Sequence, residues 1–347
     1  MRTTAILVFA YAASSWAGEA DYFPLQVGNQ WVLESISPTR ELLNIEVLRS
    51  RTMDGEIYFL VSGYAPGERW LRMDADGSLF VLNEASGEEE VLAQVAAGSA
   101  GYRTSVGGCD QWAQPASQTD WLRGPSFDIE DSLAIQYSPE ACRDVGISRE
   151  VYAPDIGLVR RSIVTIRGEI TLDLVYARVD GSAVLGKSKE IVLIDDFNHG
   201  SKGWLPGFSD YNLRTGDLRM RAEQRSLPEE VSETGSAYYV QSMNRSDDLF
   251  MFLKKHLAVE DGLEPNQAYR VWFDVRFSSN APTGCAGVGG SPGDSVYLKA
   301  GGSVDEPVAS VTGNGDIRLL ADKGQQSTGG RDAGVVGTIA NGTACEG

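Results

Sequence analysis

The chain has 347 residues, of which 42% are hydrophobic and 22% charged, the composition of a globular protein rather than a disordered one. Its length suits two domains of ordinary size, each with its own core. The formal net charge is −18 at pH 7, so the surface repels nucleic acid and anionic lipid headgroups. We therefore expect no nucleic-acid partner.

The first twenty residues have the pattern of an export signal. Arg2 supplies the positive start, residues 5–13 form a short apolar stretch, and Ser15-Trp16-Ala17 has the small-x-small pattern of a cleavage site. We predict that residues 1–20 are a signal peptide and that the mature protein is secreted or periplasmic. No later run of about 18 apolar residues occurs, so we expect no transmembrane segment.

The four cysteines fit disulfides in an oxidising compartment. Four cysteines allow three connectivities. We expect Cys109–Cys142 and Cys285–Cys345, because each bond then stays within one half of the chain. The alternative is a zinc site, but such sites need closely spaced ligands, and these cysteines are far apart with no histidine near them.

Short strand patterns fill the first part of the chain. Asp54-Gly55 and Asp76-Gly77 each lie between apolar runs, and glycine supplies the positive φ that a tight hairpin turn needs. Strand patterns resume further along, at residues 150–153, 157–159, 162–166 and 171–176. We therefore predict that residues 21–180 form an antiparallel β meander, followed by a linker rich in Gly, Ser and Lys at residues 181–190.

The second part, residues 191–347, also has the pattern of a β domain. Strand patterns occur at Ile191–Ile194 and Leu249–Leu253, and from Gly284 onward glycine is roughly one residue in four against ~7% on average. Many short strands with glycine-rich connections predict a jelly-roll or β-sandwich-like domain, so the fold class is all-β. Because no closing strand follows Cys345, we expect this domain to be incomplete at its C-terminus, or its last strand to come from elsewhere.

Two segments of the first part are distinctive: Tyr22–Trp31 (YFPLQVGNQW) and Tyr152–Val159 (YAPDIGLV). They resemble the opening and closing signatures of a β-rich domain in poorly characterised exported bacterial proteins. The second part, starting at Asp195-Asp196-Phe197, resembles another exported bacterial region. Its Asp-Phe followed by Gly203-Trp204 is similar to the first strand of jelly-roll carbohydrate-binding modules. These resemblances imply export and a β fold, and bring no known activity.

Motifs that suggest catalysis lack the context that their chemistry needs. Residues 181–188 fit the P-loop pattern, but no helix fits before the following strand pattern. Residues 289–293 fit the nucleophile-elbow pattern, but Pro292 has no N–H for an oxyanion. The only histidines, His199 and His256, lie in polar surroundings typical of the surface. We therefore expect a non-catalytic protein.

Three aspartates are the candidate metal ligands. Asp195, Asp196 and Asp210 offer carboxylate oxygens to a structural calcium ion at the edge of the second domain. No other cofactor is expected.

One aromatic residue is the candidate for ligand binding. In Tyr269–Phe277 the odd-numbered residues form an apolar face that we expect to join the core, and Trp272 shares the other face with Arg270, Asp274 and Arg276. A tryptophan flanked by polar groups can stack on a sugar ring and hydrogen-bond to it. The alternative is that a loop or the first domain covers this tryptophan.

The sequence therefore predicts an exported, non-catalytic binding or adhesion protein, with a glycan or a cell-surface polymer as its partner. Two other functions stay open. One is a hydrolase that acts on an extracellular polymer with acidic catalytic residues, and the other is a structural cell-surface protein.

Overall fold

The computed structural model of the protein describes residues 20–35, 40–96, 100–106, 108–114, 116–140, 145–232, 234–245, 248–287 and 290–345. The predicted signal peptide therefore lies outside the described residues, except for Ala20. The chain divides into two compact units, Met1–Val192 and Leu193–Gly347. Within the described ranges, no helix is long and apolar enough to cross a membrane. The all-β prediction is confirmed, since the sole helical element in those ranges is the short 3-10 turn Val259–Asp261.

The first unit contains one antiparallel sheet of fourteen strands, which confirms the predicted meander. The strands are β1 (Gln30–Ser35), β2 (Glu41–Met53), β3 (Glu56–Ser62), β4 (Glu68–Met73), β5 (Ser78–Leu82), β6 (Glu89–Gln94), β7 (Tyr102–Thr104), β8 (Gln111–Ala113), β9 (Ser117–Arg123), β10 (Asp128–Pro139), β11 (Gly146–Ala153), β12 (Gly157–Thr165), β13 (Gly168–Val179) and β14 (Ser182–Leu185). Their order is β6-β5-β4-β3-β2-β1-β13-β12-β11-β10-β8-β7, with β14 paired to β13 and β9 to β10.

Strand β14 lies inside the segment that the sequence predicts to be a linker, residues 181–190. Residues 182–185 pair with β13, with Leu185 opposite Tyr176, and Val184 packs against the core of the unit. Asp180 and Gly181 both have positive φ, at 50° and 74°, as a two-residue type I′ hairpin turn requires. The Gly/Ser/Lys composition therefore marks a hairpin turn and a short strand, and the first unit extends to Val192.

The sheet curls until its two end strands meet. The hydroxyl of Thr104 on β7 donates to the carbonyl of Leu92 on β6 at 2.8 Å, and the Gln94 N–H donates to the Tyr102 hydroxyl at 2.9 Å. This curvature encloses a single main apolar core. The largest fully buried side chains include Trp31, Leu33, Ile45, Leu71, Leu79, Tyr152 and Leu158.

The two signature segments of the sequence pack against each other in this core. Phe23 stacks on Trp31 with ring centroids 4.9 Å apart and meets Tyr152 edge-on at 6.1 Å. The Trp31 indole N–H donates to the carbonyl of Ile156 at 2.5 Å. A Cβ at Gly157 would lie 2.7 Å from Trp31 Nε1, so the close approach of indole and backbone requires glycine here. The start and the end of the meander are thus joined by one aromatic contact.

The second unit contains smaller sheets. Its strands are β15 (Leu205–Ser209), β16 (Tyr211–Asn212), β17 (Arg221–Ser226), β18 (Ser236–Gln241), β19 (Phe250–Lys254), β20 (Ala281–Thr283), β21 (Tyr297–Gly301), β22 (Ala309–Val311), β23 (Asp316–Leu319), β24 (Ala333–Thr338) and β25 (Ala340–Ala344). They form the three-stranded sheet β16-β23-β22 and the pairs β15-β19, β17-β18, β20-β25 and β21-β24.

One of the two expected disulfides lies in this unit. Cys285 and Cys345 follow the paired strands β20 and β25 and are bonded, with their Cα atoms 5.1 Å apart. In the first unit Cys109 is disulfide-bonded. Cys142 lies outside the described residues, so the pairing Cys109–Cys142 stays a prediction.

Two strand predictions for the second unit are wrong. Ile191–Ile194 and Tyr269–Phe277 have no strand pairing, although Leu249–Leu253 corresponds closely to β19. The odd-numbered face of Tyr269–Phe277 is exposed and does not join a core. Alternation tells which side chains share a face, but a strand also needs a neighbouring backbone, and none of the described residues supplies one here.

A pair of glycine substitutions tests the contact that joins the two signature segments. Gly157 and Gly168 both have positive φ, at +109° and +120°, but a Cβ at Gly168 would meet no atom within 4 Å. Gly168→Ala should cost only backbone strain, about 1–3 kcal/mol. Gly157→Ala should cost about 1–3 kcal/mol more, because its methyl group also displaces the Trp31 ring. Urea unfolding measures both, and equal losses of stability would contradict the proposed role of this contact.

Candidate functional site

The first candidate is a buried ion pair inside the first unit. Glu150 on β11 and Arg161 on β12 are cross-strand partners, and they are 0% and 3% exposed. Arg161 Nε donates to Glu150 Oε1 at 2.8 Å, and Nη2 lies 2.6 Å from the same oxygen without the alignment of a hydrogen bond. Arg161 Nη1 donates to the carbonyl of Tyr64 at 2.8 Å. The register of the two strands therefore directs both charges into the core.

Three tyrosines complete the coordination of this carboxylate. Glu150 Oε2 accepts hydrogen bonds from the hydroxyls of Tyr137 and Tyr152, each at 2.7 Å, and from Tyr64 at 3.3 Å. Burial, and then the charge of Glu150, raises the pKa of all three hydroxyls well above the usual value. The hydroxyls thus stay protonated and keep donating at physiological pH. We call Glu150, Arg161 and the three tyrosines the Glu150 cluster.

The Glu150 cluster is built for stability. A buried charge needs a partner and hydrogen bonds, and here the carboxylate has both. Its complete burial keeps the carboxylate away from solvent and from any large substrate. Sequence reasoning missed this cluster, since its one clue is that Glu150 and Tyr152 are two residues apart and so share a face of β11.

The three predicted calcium ligands do not form a common site. Asp195 accepts hydrogen bonds from the Lys255 ammonium at 2.9 and 3.0 Å, and Asp210 forms an ion pair with Lys323 at 3.2 Å. Asp196 lies in an exposed turn. Within the described ranges, no group of three or more His, Cys, Asp or Glu side chains is arranged to hold a metal ion. At Asp195 and Asp210, a lysine ammonium group therefore contacts the carboxylate oxygens that the prediction assigned to a calcium ion.

The catalytic motifs also have structural roles. Lys187 of the P-loop pattern forms an ion pair with Asp128 at 2.7 Å, and the residues before it belong to β14 instead of a phosphate-binding loop. In the nucleophile-elbow pattern the Ser291 hydroxyl donates to Asp294 at 2.7 Å, while Gly289 lies outside the described residues. The same Asp294 oxygen also accepts from the Gly284 backbone N–H at 2.7 Å, so this carboxylate links two parts of the loop region.

The second candidate site is the run Tyr269–Phe277, which we call the aromatic segment. Trp272 is 77% exposed, so no loop among the described residues of its own unit covers the ring. The Arg270 guanidinium lies 5.8 Å from the centre of the indole ring, within the range of a cation–π contact. Asp274 and Arg276 are both exposed, and Arg276 Nη2 lies 3.9 Å from Asp274 Oδ2. The predicted polar neighbours of Trp272 are thus available to solvent together with its ring.

The other face of the aromatic segment is exposed as well. Its apolar residues and exposed fractions are Tyr269 42%, Val271 60%, Phe273 44%, Val275 45% and Phe277 50%. A contiguous run of exposed apolar side chains is unusual in a soluble domain and indicates an interaction surface. The aromatic segment therefore combines apolar area on both faces with charged groups at three positions.

Comparison with known proteins adds little to this geometry. No family model and no curated protein matches the chain. Two solved structures match: a predicted lipoprotein from Parabacteroides distasonis, at 12% identity and a TM-score of 0.26, and a predicted exported protein with a YmcC-like fold from Bacteroides fragilis, at 13% and 0.27. Each comparison covers 45% of this chain and 97% of the other. At this level the similarity carries no argument about the fold or function of this chain.

Removing the charge of Glu150 tests the role of its cluster. Glu150→Gln leaves the Arg161 charge buried without a counter-charge, which should cost about 3–5 kcal/mol of unfolding free energy. The matched control in the same unit is Glu84→Gln, which breaks the exposed pair with Arg51 and should cost less than about 1 kcal/mol.

A second substitution separates charge from packing in the same cluster. Adding Arg161→Met to Glu150→Gln removes the unbalanced charge, so the double variant should be more stable than Glu150→Gln alone. Urea unfolding of the single variants Glu150→Gln and Arg161→Met and of the double variant measures the coupling. Additive losses, or a loss for Glu150→Gln no larger than for the control, would show that the ion pair does not stabilise the core.

Proposed function

We propose that this chain is an exported, non-catalytic binding protein that holds a glycan or a similar cell-surface polymer on its aromatic segment. The observation that carries the proposal is the exposure of Trp272 beside charged neighbours. An indole ring exposed to this degree loses contact with water when a flat apolar ligand face stacks on it, and that burial is favourable.

The charged neighbours suit hydroxyl-bearing ligands. Arg270 and Arg276 offer several N–H donors, and Asp274 offers carboxylate acceptors. All three alternate with the apolar residues, so an extended backbone places them on the side of the ring. A sugar ring could therefore stack on Trp272 while its hydroxyls hydrogen-bond to groups on either side.

Two observations support action outside the cytoplasm. The sequence starts with the pattern of a signal peptide, and Cys285 and Cys345 form a disulfide, a bond that persists in oxidising compartments. Secretion and a periplasmic location are both compatible with these features.

A substitution at Trp272 tests this proposal on a glycan array. Trp272→Ala should abolish or strongly reduce binding and change the unfolding free energy by less than ~0.5 kcal/mol, because the ring is exposed. Leu320→Ala is the matched control, since Leu320 is 70% exposed outside the aromatic segment, and it should leave binding intact.

Three results would count against the proposal. Release of shortened sugars from an array ligand would favour the hydrolase alternative. Absence of binding to any glycan by the unaltered protein would favour a structural role. Binding that survives Trp272→Ala would place the site elsewhere.

A further inference from the structure

The backbone of the aromatic segment lacks a strand partner. Residues 270–277 take part in no pairing among the described residues, although they are rich in the β-branched and aromatic residues that favour strands. The next element, β20 (Ala281–Thr283), does pair, with β25. An extended run with free N–H and C=O groups is a template for pairing with another chain.

The second unit also buries little apolar surface. Its described residues include just two buried apolar side chains, Leu218 and Ile317, whereas the first unit has a large core. A domain of roughly 150 residues normally buries about 70% of the surface of its unfolded chain. The exposed apolar side chains of the aromatic segment are therefore available to stabilise an association.

We propose that two copies of this chain associate through their aromatic segments, which pair as antiparallel strands with Trp272 opposite Trp272 of the second copy. In this register Arg270 lies opposite Asp274 twice, once on each side of the symmetry axis. Val271 lies opposite Phe273, also twice. Opposite charges and aromatic or β-branched pairs are the cross-strand combinations that stabilise sheets.

Charge and the position of Trp272 together select this register over its neighbours. Residues opposite each other on paired strands share a face of the sheet. When the symmetry axis passes through a residue, odd-numbered residues face odd-numbered ones, so the apolar residues stay together; when it passes between two residues, apolar residues face polar ones. Centring on Phe273 places Arg270 opposite Arg276, and centring on Asp274 places that carboxylate opposite itself, so both are repulsive. Centring on Val275 pairs Asp274 with Arg276 and Phe273 with Phe277, but it places Trp272 opposite Ser278. Of the two registers that pair opposite charges, only the one centred on Trp272 gives its large indole ring an aromatic partner.

This association goes beyond the proposed function and does not depend on it. Edge-to-edge pairing leaves both faces of the new ribbon accessible and sets the two Trp272 rings side by side. A dimer would thus present a doubled aromatic surface, but the pairing itself needs no ligand.

A cysteine scan tests the register. Residues opposite each other in an antiparallel pair have Cα atoms about 4.5–5.5 Å apart, within the range for a disulfide. Trp272→Cys should therefore form a covalent dimer under mild oxidation, and Phe273→Cys and Val275→Cys should not. Because Trp272→Cys removes an aromatic contact, the double variant Val271→Cys/Phe273→Cys is a second probe, and it should cross-link while each single variant does not.

A charge swap tests the association in solution. Analytical ultracentrifugation of the unaltered protein should show a dimer, and Asp274→Arg should weaken dimerisation by about tenfold or more, since it places like charges opposite each other twice. Adding Arg270→Asp should restore the dimer in the register centred on Trp272. Restoration together with the predicted cross-linking pattern supports the proposal.

Several outcomes would overturn it. One is an unaltered protein that stays monomeric at every concentration. Another is a dimer that Asp274→Arg leaves unchanged, or cross-linking that is strongest for Phe273→Cys or Val275→Cys. Glycan binding by a monomeric protein would leave the proposed function standing while this inference fails, so the two are separable.

Discussion

Backbone hydrogen bonding is the constraint on which the whole chain depends, because an extended segment is stable only where its N–H and C=O groups find partners. The first unit meets this constraint within itself. Its sheet curls until β6 and β7 touch, so that even the strands at the ends of the sheet exchange hydrogen bonds. That curvature also creates an enclosed interior, where Trp31 can reach the backbone at Gly157 and where Glu150 and Arg161 can be buried together.

The second unit meets the same constraint less completely. Its strands join in sheets of two or three, and the aromatic segment joins none among the described residues. The exposed side chains and the unpaired backbone of Tyr269–Phe277 therefore have one common cause. A segment with this composition is stabilised when a partner supplies the missing strand, and its exposed Trp272 is then held in a defined orientation.

The sequence alone predicts a good part of the fold. Asp54-Gly55 marks a hairpin correctly, and both residues have positive φ, at 51° and 91°. The same dipeptide at Asp180-Gly181 also marks a hairpin, but the Gly, Ser and Lys residues that flank Ala183–Leu185 predict a linker where the structure has β14. Local patterns of this kind give turns and alternation, because both depend on residues that are adjacent in the chain.

Features that depend on distant residues could not be predicted in this way. The burial of Glu150 requires that β11 lie beside β12 and that Tyr64 and Tyr137 arrive from two other parts of the chain. The alternation of Tyr269–Phe277 predicted a buried face, but it contained no information about a neighbouring backbone. For Trp272 the sequence left two alternatives, exposed or covered, and the choice depends on what packs nearby.

Amide hydrogen exchange at different protein concentrations tests the central claim most directly, since it reports backbone pairing of the aromatic segment itself. The account predicts that amides of residues 270–277 exchange slowly at high concentration and quickly on dilution, while those of β1 and β13 stay protected at both. Fast exchange of residues 270–277 at every concentration would contradict it, as would protection that does not change on dilution.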